Sequence, residues 1–288
     1  MIQGNNWTNL FQGTSTIEAM NAMGFDAMVV GNHEFDFGQG ALMERIKQAT
    51  FPVLGANVVG LSGLKPYMVK ELDGVKIAVI GVVTAEAPVS THPRNVVGLA
   101  FLPPPDTVEK YVRELRDKND LIIVLSHQGL GADIELAKKV AGVDVIVGGH
   151  THTKLTRPIQ VGNTVIVQAF EHGKALGVLD LVVRNGKIVT AENRLEPVGP
   201  KTGWDNKAVA ALVGKYRQRV DALMEEVIGE AETDLDGKYV RLRETNLGNL
   251  IADILRRTTG ADAALINGGG IRMSVLRGPV KVSDIYAV

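Results

Sequence analysis

Short unbroken apolar runs, separated by stretches of helical spacing, constrain this chain most, because three of them are followed closely by a histidine. Asp26-Ala27-Met28-Val29-Val30 leads into Gly31-Asn32-His33-Glu34, Leu121-Ile122-Ile123-Val124-Leu125 into Ser126-His127, and Val143-Asp144-Val145-Ile146-Val147 into Gly148-Gly149-His150-Thr151-His152. In an open α/β sheet, side chains beyond the carboxyl ends of parallel strands converge on one crevice. Four of the six histidines are therefore expected to meet there. Imidazoles gathered in this way suggest a metal centre.

The rest of the pattern agrees with an α/β fold. Residues 15–23 place Ile17, Met20 and Met23 on one stripe that Gly24 closes, predicting a helix. Residues 42–50, 106–118 and 134–140 are expected to be further helices, and 51–57 and 75–83 strands. Alternation at this rhythm predicts a largely parallel, helix-covered sheet. From Arg157 the texture changes. Residues 159–161, 164–168 and 176–184, with 187–189 joined through Asn185-Gly186 as a hairpin, are expected to form a second sheet packed on the first.

Residues 196–203 carry the Gly and Pro punctuation of a boundary, and 206–226 read as a long amphipathic bridging helix. Beyond it a polar strand near 228–233, a helix over 246–259, a strand at 263–266 and the glycine turn Asn267-Gly268-Gly269-Gly270-Ile271-Arg272 begin a separate unit. The expected division is thus 1–200, a linker helix at 201–226, and 227–288. The last unit is short for an independent core and is expected to be incomplete.

Composition narrows the chemistry. A formal net charge of −1, with acids and bases interspersed, provides no basic field for a nucleic acid polymer or a membrane surface. With no cysteine, disulfides, thiolate ligands and cysteine nucleophiles are excluded, so any metal must be held by oxygen and imidazole. No apolar run approaches the roughly 18 residues of a spanning helix. Residues 1–6 have neither the basic nor the apolar region of a signal peptide.

Within the motifs, the Asn32 amide oxygen is a hard neutral donor for a divalent ion, and Asp36 is spaced to hold His33 in one tautomer. The competing reading of that segment is a helix start capped by Asn32. His150 and His152, two residues apart, face one side of an extended segment and suit zinc, manganese or iron. His92 and His172 read as solvated loop residues.

Five motifs in order, Gly31-Asn32-His33-Glu34-Phe35-Asp36, Ser126-His127-Gln128-Gly129, Gly148-Gly149-His150-Thr151-His152, Arg243-Glu244-Thr245-Asn246-Leu247-Gly248-Asn249 and Asn267-Gly268-Gly269-Gly270-Ile271-Arg272, resemble the 5'-nucleotidase family of two-metal phosphoesterases. That family includes UDP-sugar hydrolases and 2',3'-cyclic phosphodiesterases. The resemblance implies a metallophosphoesterase-type sandwich of two mixed sheets flanked by helices, followed by the start of a nucleotide-recognition domain. It makes Asn32, His127, His150 and His152 metal ligands, pairs His33 with Asp36 as the catalytic dyad, and places Arg272, with Asn267 and Gly269, on the substrate.

It also implies two ions of the zinc or manganese kind, a nucleotide substrate, and a periplasmic or extracellular setting. Asn5 falls where the resemblance puts a carboxylate bridging the ions, and a preceding Asp-x-His strand and the rest of the second domain lie outside the sequence. The chain is therefore expected to be a piece of a longer frame. It could hold a single ion, and non-catalytic binding is the alternative to hydrolysis.

Overall fold

The computed structural model describes residues 6–184, 186–199 and 206–288. Two compact units divide between Leu212 and Val213. In the first, α1 (Asn6–Leu10) and α2 (Thr14–Met23) precede β1 (Met28–Val29), α3 (Gly38–Gln48), β2 (Val53–Leu54) and β3 (Val58–Val59). Then come β4 (Tyr67–Leu72), β5 (Val75–Val83), α4 (Ala87–Ser90), β6 (Ala100–Phe101), α5 (Pro104–Leu115), β7 (Leu121–His127), α6 (Leu130–Lys139) and β8 (Val145–Val147). β9 (Ile159–Val161), β10 (Thr164–Val167), β11 (Ala175–Arg184) and β12 (Lys187–Pro197) complete the strands of this unit.

One six-stranded sheet, in the order β4-β5-β7-β8-β10-β9, organises the unit. β5, β7, β8 and β10 run parallel, while β4 and β9 are antiparallel edges. Because the four inner strands share a direction, their carboxyl ends lie along one rim. The unbroken apolar runs follow from burial on both faces. Against one face, Val108, Val112 and Leu115 of α5 and Leu136 of α6 pack on Ala78, Ile80, Val82, Ile122, Val124 and Ile146. Another core joins Ile17 and Met20 of α2 and Leu42 of α3 to Met28, Val30, Phe35, Val53 and Val83. Each such fully buried aliphatic contributes about 1.5–3 kcal/mol.

The expected second sheet is corrected in part. β10 pairs parallel with β8 and β9 pairs with β10, so residues 159–167 extend the main sheet. Only β11 and β12 stand apart, as an antiparallel ribbon whose Leu179, Leu181, Ile188 and Ala191 cover Val145, Val165 and Val167. β8 pairs with β7 along one edge, which leaves its other edge to β10. Asn185 of the expected turn and residues 200–203 of the expected boundary lie outside the described residues.

α7 (Lys207–Met224) runs across the division between the units. The second unit holds its carboxyl-terminal part, β13 (Val227–Ala231), α8 (Asn246–Thr259), β14 (Gly278–Lys281) and α9 (Val282–Ala287). β13 and β14 pair antiparallel, and the Thr245 hydroxyl caps α8 by accepting from Gly248 N at 3.2 Å. Residues 263–266, expected as a strand, are irregular, with Leu265 97% exposed. An apolar run becomes a strand only by pairing, and among the described residues nothing pairs with this one.

Candidate metal and phosphate site

Three strand-end loops carry the expected residues, two after β7 and β8 of the six-stranded sheet and one after β1, which pairs parallel with β2 in a separate two-stranded sheet. The first follows β1, where Asn32–Phe35 forms a single 3-10 turn. The turn begins as the helix-start reading anticipated, but the Asn32 side chain does not cap it. Asn32, 3% exposed, donates through Nδ2 to Ser90 O at 3.0 Å, which fixes the amide so that Oδ1 stands 3.1 Å from His127 Nε2. His127 is the last residue of β7. Its ring lies 5.1 Å, centroid to centroid, from that of His150 in the third loop. The structure thus brings Asn32, His127 and His150 together.

Both of those imidazoles are shifted toward the neutral form. Burial pushes His127 down to about 4, with the neighbouring His150 and His33 adding to the effect and Glu34 opposing it. Burial also lowers His150, followed by the charges of His33 and His152. Neutral imidazole is the form that ligates a cation. One amide oxygen and two imidazoles gathered in this way are a donor set suited to a divalent ion of the zinc or manganese class. Packing beneath this cluster is close enough to require Gly31, where a Cβ would sit 2.7 Å from His127 Nε2. Glu34, also 3% exposed, accepts from Gly31 N at 2.6 Å.

His33 faces outward from the same turn. Its Nδ1 lies 2.7 Å from Asp36 Oδ2, and Asp36 is in turn held by the Thr91 hydroxyl, donating to Oδ1 at 2.7 Å, and by Asn95 Nδ2, donating to its backbone oxygen at 2.8 Å. The dyad is formed in this way, with the His33 ring half exposed and its second nitrogen available to a ligand. His92, between those two supports, accepts from Arg94 N at 3.3 Å and remains exposed.

His152 has different neighbours. Its Nδ1 lies 3.2 Å from Glu171 Oε2, and its ring meets His172 edge-on at 5.5 Å. His172, read from the sequence as a solvated loop residue, is exposed but belongs to this group. Asn5 lies outside the described residues. Arg272, Asn267 and Gly269 belong to the second unit. There Asn267 Oδ1 accepts from Gly269 N at 2.9 Å, and Arg272 shares with Lys238 and Arg241 the wall of a cavity of about 400 Å³, suited by charge to an anion.

Sequence reasoning missed the supports of these loops. Asp133, fully buried on α6, accepts at Oδ1 from Ser126 Oγ at 2.5 Å and from Gln128 Nε2 at 3.1 Å, so it grips the residues on both sides of His127. Gln168, just beyond β10, donates to Gly149 O at 3.0 Å and accepts from Thr153 N, bracketing His150 and His152. Gly148 passes between the two, where a Cβ would lie 2.5 Å from Asp133 Oδ2. A buried acid following a strand-end Ser-His was the one available signal.

Burial pushes the Asp133 carboxyl up to about 6, against the pull of the Ser126 and Gln128 hydrogen bonds. Its Oδ2 finds no partner among the described residues. A carboxyl raised in the folded state binds its proton more tightly there, so stability falls as pH rises from about 4 to about 6 and levels off above. Asp133→Asn is expected to remove that dependence, gaining on the order of 2–3 kcal/mol relative to the parent between pH 4 and pH 7 in urea unfolding. A difference that stays constant with pH would refute the assignment.

Comparison with known proteins bears on what this rim does. Residues 227–288 match the family described as 5'-nucleotidase, C-terminal domain. Residues 3–167, more than half of the chain, match and belong to the family described as bacterial capsule synthesis protein PGA_cap. The crystal structure of the 5'-nucleotidase precursor from Thermus thermophilus aligns across both segments, with 34% identity, a TM-score of 0.80, and coverage of 99% of this chain and 62% of that one. Along its whole length the chain is similar to this 5'-nucleotidase. Its fold is that of the calcineurin-like phosphoesterases, a metal-dependent group.

Among curated relatives, the trifunctional nucleotide phosphoesterase protein YfkN of Bacillus subtilis (strain 168) is 31% identical over 100% of the chain and 23% of its own length. Endonuclease YhcR of the same organism is 33% identical over 98% of the chain and 25% of its own length. The chain therefore spans about a quarter of these two relatives. No described helix is long and apolar enough to cross a membrane.

Proposed function

We propose that this chain carries the catalytic rim of a metal-dependent phosphoesterase acting on nucleoside 5'-monophosphates, releasing nucleoside and phosphate. The observation that carries this reading is the convergence of Asn32, His127 and His150 beside the His33-Asp36 pair. Asn32 Oδ1, His127 and His150 would hold one ion; the resemblance adds a second, with His152 among its ligands. When bound, two such dications clamp phosphate oxygens and lower the pKa of water to within reach of neutral pH.

The protein's own contribution is position and charge. Asp36 keeps the proton of His33 on Nδ1, so the other ring nitrogen faces substrate as an acceptor or, once protonated, as a donor to the leaving oxygen. Thr91 and Asn95 prevent Asp36 from following the ring away. Ser90, Asp133 and Gln168 hold the ligand loops so that little reorganisation is needed when phosphate arrives. The resemblance assigns Arg272, Asn267 and Gly269 to substrate, and within the second unit Arg272 shares a cavity wall with Arg241 that suits an anion.

The metal-stripped chain is expected to release phosphate from AMP after manganese is restored and not in the presence of a chelator. Binding of manganese without phosphate release would instead establish the chain as a non-catalytic metal or nucleotide binder. The kinship with an endonuclease favours a second reading, phosphodiester cleavage. Faster turnover of bis(p-nitrophenyl) phosphate than of AMP would select it.

A further inference from the structure

We propose that the first unit carries a second anion site, at the end of the six-stranded sheet opposite His127 and His150, which takes a phosphomonoester with an organic body, as in a nucleoside monophosphate. A cavity of about 970 Å³ opens there. The parallel inner strands dictate its place. Asp120, Asp144 and Thr164 stand where β7, β8 and β10 begin and line the cavity, whereas His127, Gly148 and Gln168 stand where the same strands end. The seven residues of β7 put on the order of 20 Å between the two ends, so the site shares no residue with the rim.

Its walls come from both faces of the sheet. Leu136 of α6 packs with Ile146 and Ile166, while Ile188 and Ala191 of β12 pack with Val145 and Val165, the alternate residues of the same two strands. The end of α6 and the start of β12 therefore flank the amino edge on its two sides. The floor is fixed by hydrogen bonds of its own. Arg116 donates to Gly142 O at 3.1 Å, Asp144 Oδ2 at 2.7 Å, Asn119 O at 2.9 Å and Asp120 O at 2.6 Å, tying together the loops that enter β7 and β8. Thr164 Oγ1 donates to Val143 O at 2.7 Å, which adds the start of β10. Preorganisation of this kind lowers the cost of binding.

Charge selects the ligand. Both acids on the lining are spent on the fold: Asp144 Oδ2 accepts from Arg116 and from Ile122 N, each at 2.7 Å, and Asp120 Oδ2 accepts from Lys76 N at 2.8 Å. Of the cations, Arg116 is taken up by the floor, and Lys138 by Glu135 at 2.8 Å. Lys139, the last residue of α6, and Lys187, the first of β12, are exposed and have no partner among the described residues. Lysines in the last turn of α6 also offset the carbonyl end of that helix, a duty that Lys187 does not share. The surplus across the opening is positive, and an anion reaching both ammonium groups bridges the two walls. A free phosphate ion would leave most of the cavity empty, since the volume lies at the upper end of the range of about 300–1,000 Å³ seen for small-molecule sites. Val140, Ala141 and Val189 supply apolar surface for an organic body, with Asn163 and Thr190 as hydrogen-bonding groups beside it.

The site does not depend on hydrolysis at the rim, and it is tested with divalent ions removed. AMP is titrated by calorimetry into the metal-stripped full chain in the presence of a chelator, alongside the double variant Lys139→Glu/Lys187→Glu and Arg272→Ala. One binding event is expected that the double variant weakens by at least about tenfold and that Arg272→Ala leaves intact. In the parent, adenosine and inorganic phosphate are each expected to bind there at least about tenfold more weakly than AMP. An AMP isotherm unchanged in the double variant, one abolished by Arg272→Ala, or the absence of any AMP binding would overturn the site. Manganese-dependent release of phosphate from AMP reports on the rim separately, so either reading can fail without the other.

Discussion

His33→Ala lowers kcat for a nucleoside monophosphate by about 10²–10⁴-fold while leaving metal affinity unchanged, if the dyad acts on substrate as its geometry indicates. The expectation follows from a separation of roles on one turn. Asn32 points inward to His127, and His33, the next residue, points outward to Asp36. Removing the outward ring takes away a proton carrier without touching the inward cluster, so chemistry falls and ligation does not. Asp36→Asn is expected to show a smaller loss, because the ring survives and only its preferred tautomer is disturbed. Steady-state kinetics with a manganese titration in parallel checks both. Equal losses of metal affinity and of kcat in His33→Ala would mean that this histidine ligates the ion, and the assignment would fail.

The second large effect comes from Gly31→Ala. Its backbone, with φ of −106°, accepts any L residue, so the substitution carries no conformational strain. The added methyl, however, would stand 2.7–2.8 Å from three atoms of the His127 ring. Relieving the contact moves the ring and with it Nε2, now 3.1 Å from Asn32 Oδ1. Overpacking of this kind costs about 1–3 kcal/mol, and the displaced ligand should weaken the ion by about 10–100-fold. Urea unfolding and a manganese titration measure the two parts separately. Parent-like manganese affinity in Gly31→Ala would show that His127 is not a ligand.

Much of this site could be read directly from residue order. Strand-end placement was enough to gather Asn32, His127 and His150, and an i, i+3 spacing was enough to pair His33 with Asp36, because both depend on local geometry that a strand or a turn imposes on its own residues. The supports could not be read this way. Ser90 reaches Asn32 across 58 positions, and Thr91 reaches Asp36 across 55. The pairing of His152 with Glu171 and His172, like the grip of Asp133 beneath His127, depends on how loops from different strands lie over the rim.

The same division holds for the sheet. Its inner parallel strands were evident from unbroken apolar runs, since only burial on both faces tolerates them. Which edge β10 would join was not evident, and the structure set it beside β8. Residues 263–266 have strand composition and no partner among the described residues. By itself, then, the sequence determined the α/β class, the rim and the donors brought to it, because periodicity and strand direction are properties of consecutive residues. Tertiary structure alone decided the sheet order, the fixing of the Asn32 amide and the company His152 keeps, because hydrogen bonds and packing between distant segments exist only once the chain has closed on itself.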